Sequence, residues 1–120
     1  MTKPKILILD DDHAFVDALA MYLQDHGYRP VPAYDIQEAL ERIQRNGMDL
    51  LIIDFHLPDG SGIDLVRGIQ RAAHPVPVIL ISGDDSPAVQ QGALAAGARI
   101  FMVKPLPPEK LLTTIASILS

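Results

Sequence analysis

The sequence predicts an α/β domain of five strand–helix units around a parallel sheet. Three observations predict it. Short aliphatic runs such as Ile6–Leu9 and Leu50–Ile53 alternate with stretches whose apolar residues recur at helical spacing. Each unit is about 20–25 residues long, the length of a strand plus a crossover helix. The central runs are apolar without alternation, as strands buried on both faces are.

Residues 5–9 read as the first strand. Residues 14–26 follow as a helix, with Val16, Leu19, Ala20 and Leu23 at i, i+3, i+4 and i+7. Asp12 is placed to cap its start, and Gly27 suits its end. Residues 29–33 form a short second strand, whose Pro30 and Pro32 lack ladder donors and so belong at an edge. Asp35 caps a second helix over 36–46, with Glu38 three residues on completing a box-like pair. Its stripe is Ile36, Ala39, Leu40 and Ile43, and Asn46-Gly47 ends it.

Residues 49–53 are the central third strand, stopped by Asp54 and then by Pro58 and Asp59-Gly60. Ser61 caps a third helix reaching to residue 72, with Ile63, Val66, Ile69 and Ala73 on its buried side and His74-Pro75 closing it. Residues 77–81 are the fourth strand, ending at Ser82-Gly83-Asp84-Asp85. The fourth helix, 87–96, is the weakest: its apolar positions are mostly alanine, and Gly92 costs about 1 kcal/mol against Ala. Residues 99–103 are the fifth strand, Lys104 to Pro108 a loop, and 108–119 the last helix, with Leu112, Ile115, Ala116 and Leu119 inward.

One domain of 120 residues is long enough for a sizeable core, and a composition 48% hydrophobic excludes disorder. A formal charge of −5 argues against direct nucleic-acid binding, because phosphate contacts need a basic face. No cysteine is present, which excludes disulfides, thiol catalysis and thiolate metal sites. The aliphatic runs are about four residues long against the roughly 18 of a membrane span. No long apolar segment follows Lys3 and Lys5, so neither a membrane span nor a secretory signal is expected. The expected location is cytoplasmic.

The chemistry-bearing residues fall where strands end. Asp10 and Asp11 follow the first strand and Asp54 the third. In open α/β sheets that edge binds ligands. If the two strands are parallel neighbours, their carboxylates face one another. Two such charges about 5 Å apart at an effective dielectric near 20 repel by roughly 3 kcal/mol. A hard divalent cation would offset that, and Mg²⁺ prefers oxygen-only ligands.

In this pattern the chain resembles the receiver domains of bacterial two-component response regulators, the CheY-like family. The resemblance rests on Asp10-Asp11, Asp54, Ser82 after the fourth strand and Lys104-Pro105 after the fifth, and it spans nearly the whole chain. It implies a doubly wound (βα)5 flavodoxin/CheY-like fold with sheet order 2-1-3-4-5. It implies that Asp54 accepts a phosphoryl group from a histidine kinase or phosphotransfer protein. Asp11, Asp54 and the His56 carbonyl would bind Mg²⁺, with Asp10 acting mainly through water. Lys104 would pair with Asp54 and later with a phosphoryl oxygen, across a cis bond to Pro105. Ser82 would move toward the phosphoryl group with Phe101 following, although Phe101 reads equally as core packing. His56 and Asp84 would border the phosphoryl group and set its lifetime. His56 either contacts an attacking water or sits exposed. His13, His26 and His74 read as surface residues.

The resemblance further implies an output surface on the fourth helix, fifth strand and fifth helix, serving a homodimer or an output domain. Such a protein catalyses only its own phosphotransfer and autodephosphorylation and is no ordinary enzyme. Residues 1–120 are expected to be a single receiver, standing alone or belonging to a larger regulator. Three other readings meet obstacles. A haloacid-dehalogenase-type phosphatase looks for a second acid two residues after its nucleophile, where His56 stands. A flavodoxin-like FMN carrier needs a hydroxyl- and glycine-rich loop where Asp10-Asp11-Asp12 would repel phosphate. A receiver-like interaction module working without phosphorylation usually lacks one of the acid, hydroxyl and lysine set, which is intact here.

Overall fold

The computed structural model describes residues 2–72 and 75–120. Five parallel strands, β1 (Lys5–Leu9), β2 (Arg29–Ala33), β3 (Leu50–Asp54), β4 (Val78–Ser82) and β5 (Ile100–Val103), form one sheet in the order β2-β1-β3-β4-β5. The helices are α1 (His13–Asp25), α2 (Ile36–Asn46), α3 (Gly62–Gln70), α4 (Pro87–Ala96) and α5 (Pro108–Leu119). A separate antiparallel hairpin pairs His56–Leu57 with Gly60–Ser61 between β3 and α3.

The two-residue period of the strands divides the core. Ile6, Ile8, Leu50, Ile52, Ile79, Ile81 and Met102 pack with Val16 and Leu23 of α1 and with Leu111 and Ile115 of α5. Leu7, Leu9, Leu51, Ile53, Val78 and Leu80 pack on the other face with α2, α3 and α4. Side chains thus bury on both faces of β1, β3 and β4, which is why their sequences do not alternate. Pro30 and Pro32 lie on β2 at the sheet edge, where their missing N–H groups leave no inner ladder broken. Among the described residues no helix is long and apolar enough to cross a membrane.

The caps of α1, α2 and α3 are those expected. Asp12 accepts the Phe15 N–H and starts α1 at His13, one residue early, so that it ends at Asp25 before the positive-φ Gly27. Asp35 accepts the Glu38 N–H, while Glu38 reaches back to the N–H of Tyr34 rather than of Asp35. Ser61 caps α3 through the Ile63 N–H and Ser86 caps α4 through the Val89 N–H.

Several boundaries and stripes differ from expectation. β3 and β4 each begin and end one residue later, so Asp54 and Ser82 are the last residues of their strands rather than residues beyond them. The ladder continues because the Phe55 N–H donates to Ile81 and the Lys104 N–H to Ser82, both at 2.8 Å. Asp49 drops out of β3 because its carboxylate turns back to accept the Lys5 N–H. β5 starts at Ile100, although the Arg99 N–H still donates to Val78.

α3 ends at Gln70, capped by Arg71. Its fully buried side chains are Leu65 and Val66, with Ile63 and Ile69 half-buried at the margin. The expected roles of Ala73 and His74 lie outside the described residues. On α2, Leu40 is 41% exposed, because the sheet covers Ile36, Ala39 and Ile43 and leaves Leu40 above a groove beside α3.

On α5 the expected Ile115 is wholly buried, and Leu112 and Leu119 pack at the margin of the same core; Leu111 and Ile118 join them, while Ala116 is exposed. Leu111 is wholly buried beside Ile115 against the sheet. Leu111→Ala should therefore cost about 2–4 kcal/mol in urea unfolding. Ala116→Ser should stay within about 0.5 kcal/mol. Equal losses at both positions would contradict this packing.

Candidate functional site

β1, β3 and β4 end side by side, and their last residues and following turns form one polar crevice. Asp10 is 1% exposed, with its own N–H donating to Ala33 and its Oδ1 accepting the Asp12 N–H at 3.0 Å. Asp54 is 7% exposed and Asp11 is open to solvent. One carboxylate oxygen from each of Asp10, Asp11 and Asp54 lies within 4.8 Å of the others.

Lys104 is the cation that meets these acids. Its Nζ donates to Asp10 Oδ2, while Asp54 Oδ1 is 3.7 Å away. The expected pairing with Asp54 is present, and a closer one to Asp10 accompanies it. Asp10 takes the closer place because its carboxylate is the more deeply buried and has one oxygen free of backbone donors. The ammonium also lies 4.8 Å from the centroid of the Phe15 ring, a cation–π contact. The peptide bond from Lys104 to Pro105 is cis, as expected.

Charge in this crevice is unbalanced. Burial first, and then the neighbouring Asp10 charge, pushes Asp54 up to about 6, against the pull of Lys104. Burial pulls the Lys104 ammonium down, but its hydrogen bond to Asp10 and the charges of Asp54 and Asp10 prevail and hold it above the ordinary lysine value. The three carboxylates are hard oxygen donors, and Lys104 pairs with two of them. That set fits a hard divalent cation, which would offset both the burial of the Asp54 charge and its repulsion from Asp10.

The sign of the Asp54 shift gives a prediction for the metal-free protein. An acid with a raised folded pKa binds its proton more tightly when folded. Folding therefore loses stability as pH rises from the unfolded value near 4 through the folded value near 6. Asp54→Asn should raise stability in chelator by about 1–2 kcal/mol near pH 7.5, after allowance for solvent screening, and by nothing near pH 4. Urea titrations at the two pH values measure this. A variant less stable than wild type near pH 7.5 would contradict it.

Ser82 is wholly buried, and its Oγ accepts the Asp84 N–H at 3.0 Å. Asp84 is exposed and turns its carboxylate to the Ser86 N–H, so it braces the start of α4. Phe101 is half-buried against the core face that holds Leu80 and Ala93. His56 is exposed, edge-on to the Phe55 ring at 4.7 Å. His13 and His26 are on the surface as expected, although His13 stacks on Tyr34 at 3.8 Å. The Tyr34 hydroxyl donates to Asp17, which holds its pKa above the usual tyrosine value.

The crevice thus gathers Asp10, Asp11, Asp54 and Lys104. Ser82 ends the strand beside β3, its backbone tied to Lys104, while His56 and Asp84 are exposed and Phe101 is half-buried. Three further residues escaped the sequence reading. Phe15 underlies the lysine. A Cβ on Gly62 would lie 2.2 Å from the carbonyl oxygen of Asp54, so only glycine lets α3 start against the strand end. Asp59 accepts the Ile36 and Gln37 N–H groups of α2. Gly62 alone carried a signal, since a glycine in the first turn of a helix is one mark of a close backbone approach.

A family model described as the response regulator receiver domain matches residues 6–116. The chain is 35% identical over 111 residues to regulatory protein VanR of Enterococcus faecium, covering 92% of this chain and 48% of that protein. It is 30% identical over 116 residues to the CAI-1 autoinducer sensor kinase/phosphatase CqsS of Vibrio cholerae, covering 94% of this chain and 17% of that protein. The solved structure of chemotaxis response regulator CheY4 of Vibrio cholerae superposes with a TM-score of 0.90 at 32% identity, covering 98% of this chain and 100% of that one. The chain spans about half or less of the length of the curated relatives named here.

Proposed function

Since this chain belongs to the response regulator receiver family of two-component systems, we propose that Asp54 is its phosphoryl acceptor and that Mg²⁺ is its cofactor. The observation that carries the reading is the meeting of three carboxylates with one lysine at the ends of β1, β3 and β5, beside the buried hydroxyl of Ser82.

The phosphoryl group comes from a phosphohistidine of a histidine kinase or phosphotransfer protein. The P–N bond breaks as a P–O bond forms to Asp54, giving an acyl phosphate. Water later attacks phosphorus, returning the Asp54 carboxylate and inorganic phosphate. Asp11, Asp54 and the His56 carbonyl would hold Mg²⁺, with Asp10 acting through water. When bound, the cation neutralises charge between the carboxylates and the arriving phosphoryl oxygens. Lys104, steadied by Asp10 and the Phe15 ring, turns its ammonium to a phosphoryl oxygen. Ser82 already accepts a backbone N–H and so has its hydroxyl proton to donate to another. His56 and Asp84 border the group and set its lifetime, and Phe101 follows Ser82 in the switch.

The domain, 1–120, catalyses only its own modification and works in the cytoplasm. Its output face is α4, β5 and α5, used by a homodimer or an output domain. Exposed Leu94 and Val103 support that choice, as does a surface cavity of about 400 Å³ between β5 and α5 lined by Phe101, Pro105 and Lys110.

The test is acetyl phosphate with and without Mg²⁺, read by intact mass on wild type and Asp54→Asn. One metal-dependent phosphoryl adduct in wild type and none in the variant is expected. No adduct under any condition would overturn the reading.

A further inference from the structure

The hairpin between β3 and α3 carries His56, and it is held from outside by α2. Asp59, at its turn, accepts the Ile36 N–H at 2.9 Å through Oδ1 and the Gln37 N–H at 3.3 Å through Oδ2. The partners lie 23 and 22 residues away in the chain. Gly60, next to Asp59, has φ of +155°, and a Cβ there would lie 2.9 Å from Ile36 Cδ1. The hairpin turn therefore rests on the first turn of α2 through both a carboxylate and an apolar contact. Its other end is stitched to the acceptor strand, where the Gly62 N–H donates to Phe55 at 2.9 Å.

α2 does not depend on Asp59 for its own start. Asp35 takes the Glu38 N–H and Glu38 takes the Tyr34 N–H, both at 2.8 Å. The Ile36 and Gln37 amides lie at an exposed helix end, where water would satisfy them. The carboxylate gains little for the helix that water would not supply. Its larger effect falls on the hairpin, which has only two residues in each strand and little buried surface of its own.

We propose that Asp59 is a positioning residue for phosphoryl transfer, fixing His56 beside Asp54 by anchoring the hairpin on the first turn of α2. This rests on the receiver reading above, because His56 matters only if its carbonyl holds the cation and its ring borders the phosphoryl group.

The experiment compares Asp59→Ala with Asp35→Ala, which removes a cap of the same helix without touching the hairpin. Amide hydrogen exchange over residues 56–62 and the lifetime of the acetyl-phosphate adduct are measured in each. In Asp59→Ala, exchange should quicken by about fivefold or more, the scale of a lost cap, and the adduct lifetime should change by about threefold or more. Asp35→Ala should leave both within about twofold of wild type, while Asp59→Asn, keeping one acceptor oxygen, should fall between. Unchanged exchange in Asp59→Ala, or equal effects from Asp35→Ala, would overturn the proposal. So would an unchanged lifetime where wild type is phosphorylated. A wild type that takes no phosphoryl group would instead overturn the receiver reading, and the exchange data would still decide whether Asp59 anchors the hairpin.

Discussion

Lys104→Met is expected to destabilise the metal-free protein by about 2–4 kcal/mol near pH 7.5, somewhat under the roughly 3–5 kcal/mol of breaking a fully buried ion pair from one side, because Lys104 is partly exposed. The loss follows from what remains. Asp10 stays buried with only the Asp12 N–H on one oxygen, and Asp54 keeps its repulsion from Asp10 without its attraction to Lys104. The wild-type lysine has a raised pKa, so its contribution is complete below the ordinary lysine value and is lost only as pH rises through the folded value, far above neutrality. In the variant Asp54 loses the pull of Lys104 that opposes its raised pKa, so stability returns as pH falls and Asp54 takes up a proton. Urea titrations near pH 7.5 and pH 5 measure both effects. The deficit should be larger near pH 7.5. A deficit below about 1 kcal/mol at both values would mean that the Asp10–Lys104 contact is no more than a surface pair.

Gly62→Ala should damage both the fold and the site. Its Cβ would lie 2.2 Å from the Asp54 oxygen, 3.1 Å from the Asp54 carbonyl carbon and 3.2 Å from Ile53 Cγ2. No rotamer relieves a clash with backbone, so either α3 backs away or the end of β3 shifts. A cost of about 3 kcal/mol or more is expected, at the upper end for overpacking. Phosphorylation by acetyl phosphate should slow by about tenfold or more, because a displacement of 1 Å at a reacting centre has consequences on that scale. Gly68→Ala is the matched control on the same helix. Its Cβ meets nothing within 4 Å, so the change should gain about 0.5–1 kcal/mol of helix propensity and leave phosphorylation unchanged. Equal behaviour of the two variants would contradict the close approach at Gly62.

The fold was legible wherever a single stretch of chain decides. Ile6–Leu9, Leu50–Ile53 and Val78–Ile81 are buried on both faces, and a run of aliphatic residues has no other stable use in a chain this size. The strand ends were read one residue short because side chains change character at Asp54 and Ser82, while the backbone ladder continues past them. On α5 the pattern gives Leu112, Ile115 and Leu119 but not Leu111, because adjacent Leu111 and Leu112 each start a stripe through Ile115 and both pack on the sheet. The gathering of the acids with Lys104 was legible because strand ends meet at one edge of such a sheet. Which acid takes the lysine was not, since it depends on differences of about 1 Å in the crevice. Asp59 was unreadable for a different reason: its partners belong to another unit of the fold, and no local pattern marks them.

The most direct measurement of the central claim is chemical. Wild-type protein is incubated with acetyl phosphate and Mg²⁺, then reduced with borohydride, which converts an acyl phosphate to the alcohol, and digested for peptide mass mapping. Homoserine in place of the Asp54 side chain, and only when Mg²⁺ is present, is the predicted result. Reduction at Asp10 or Asp11, or no reduction anywhere, would contradict it.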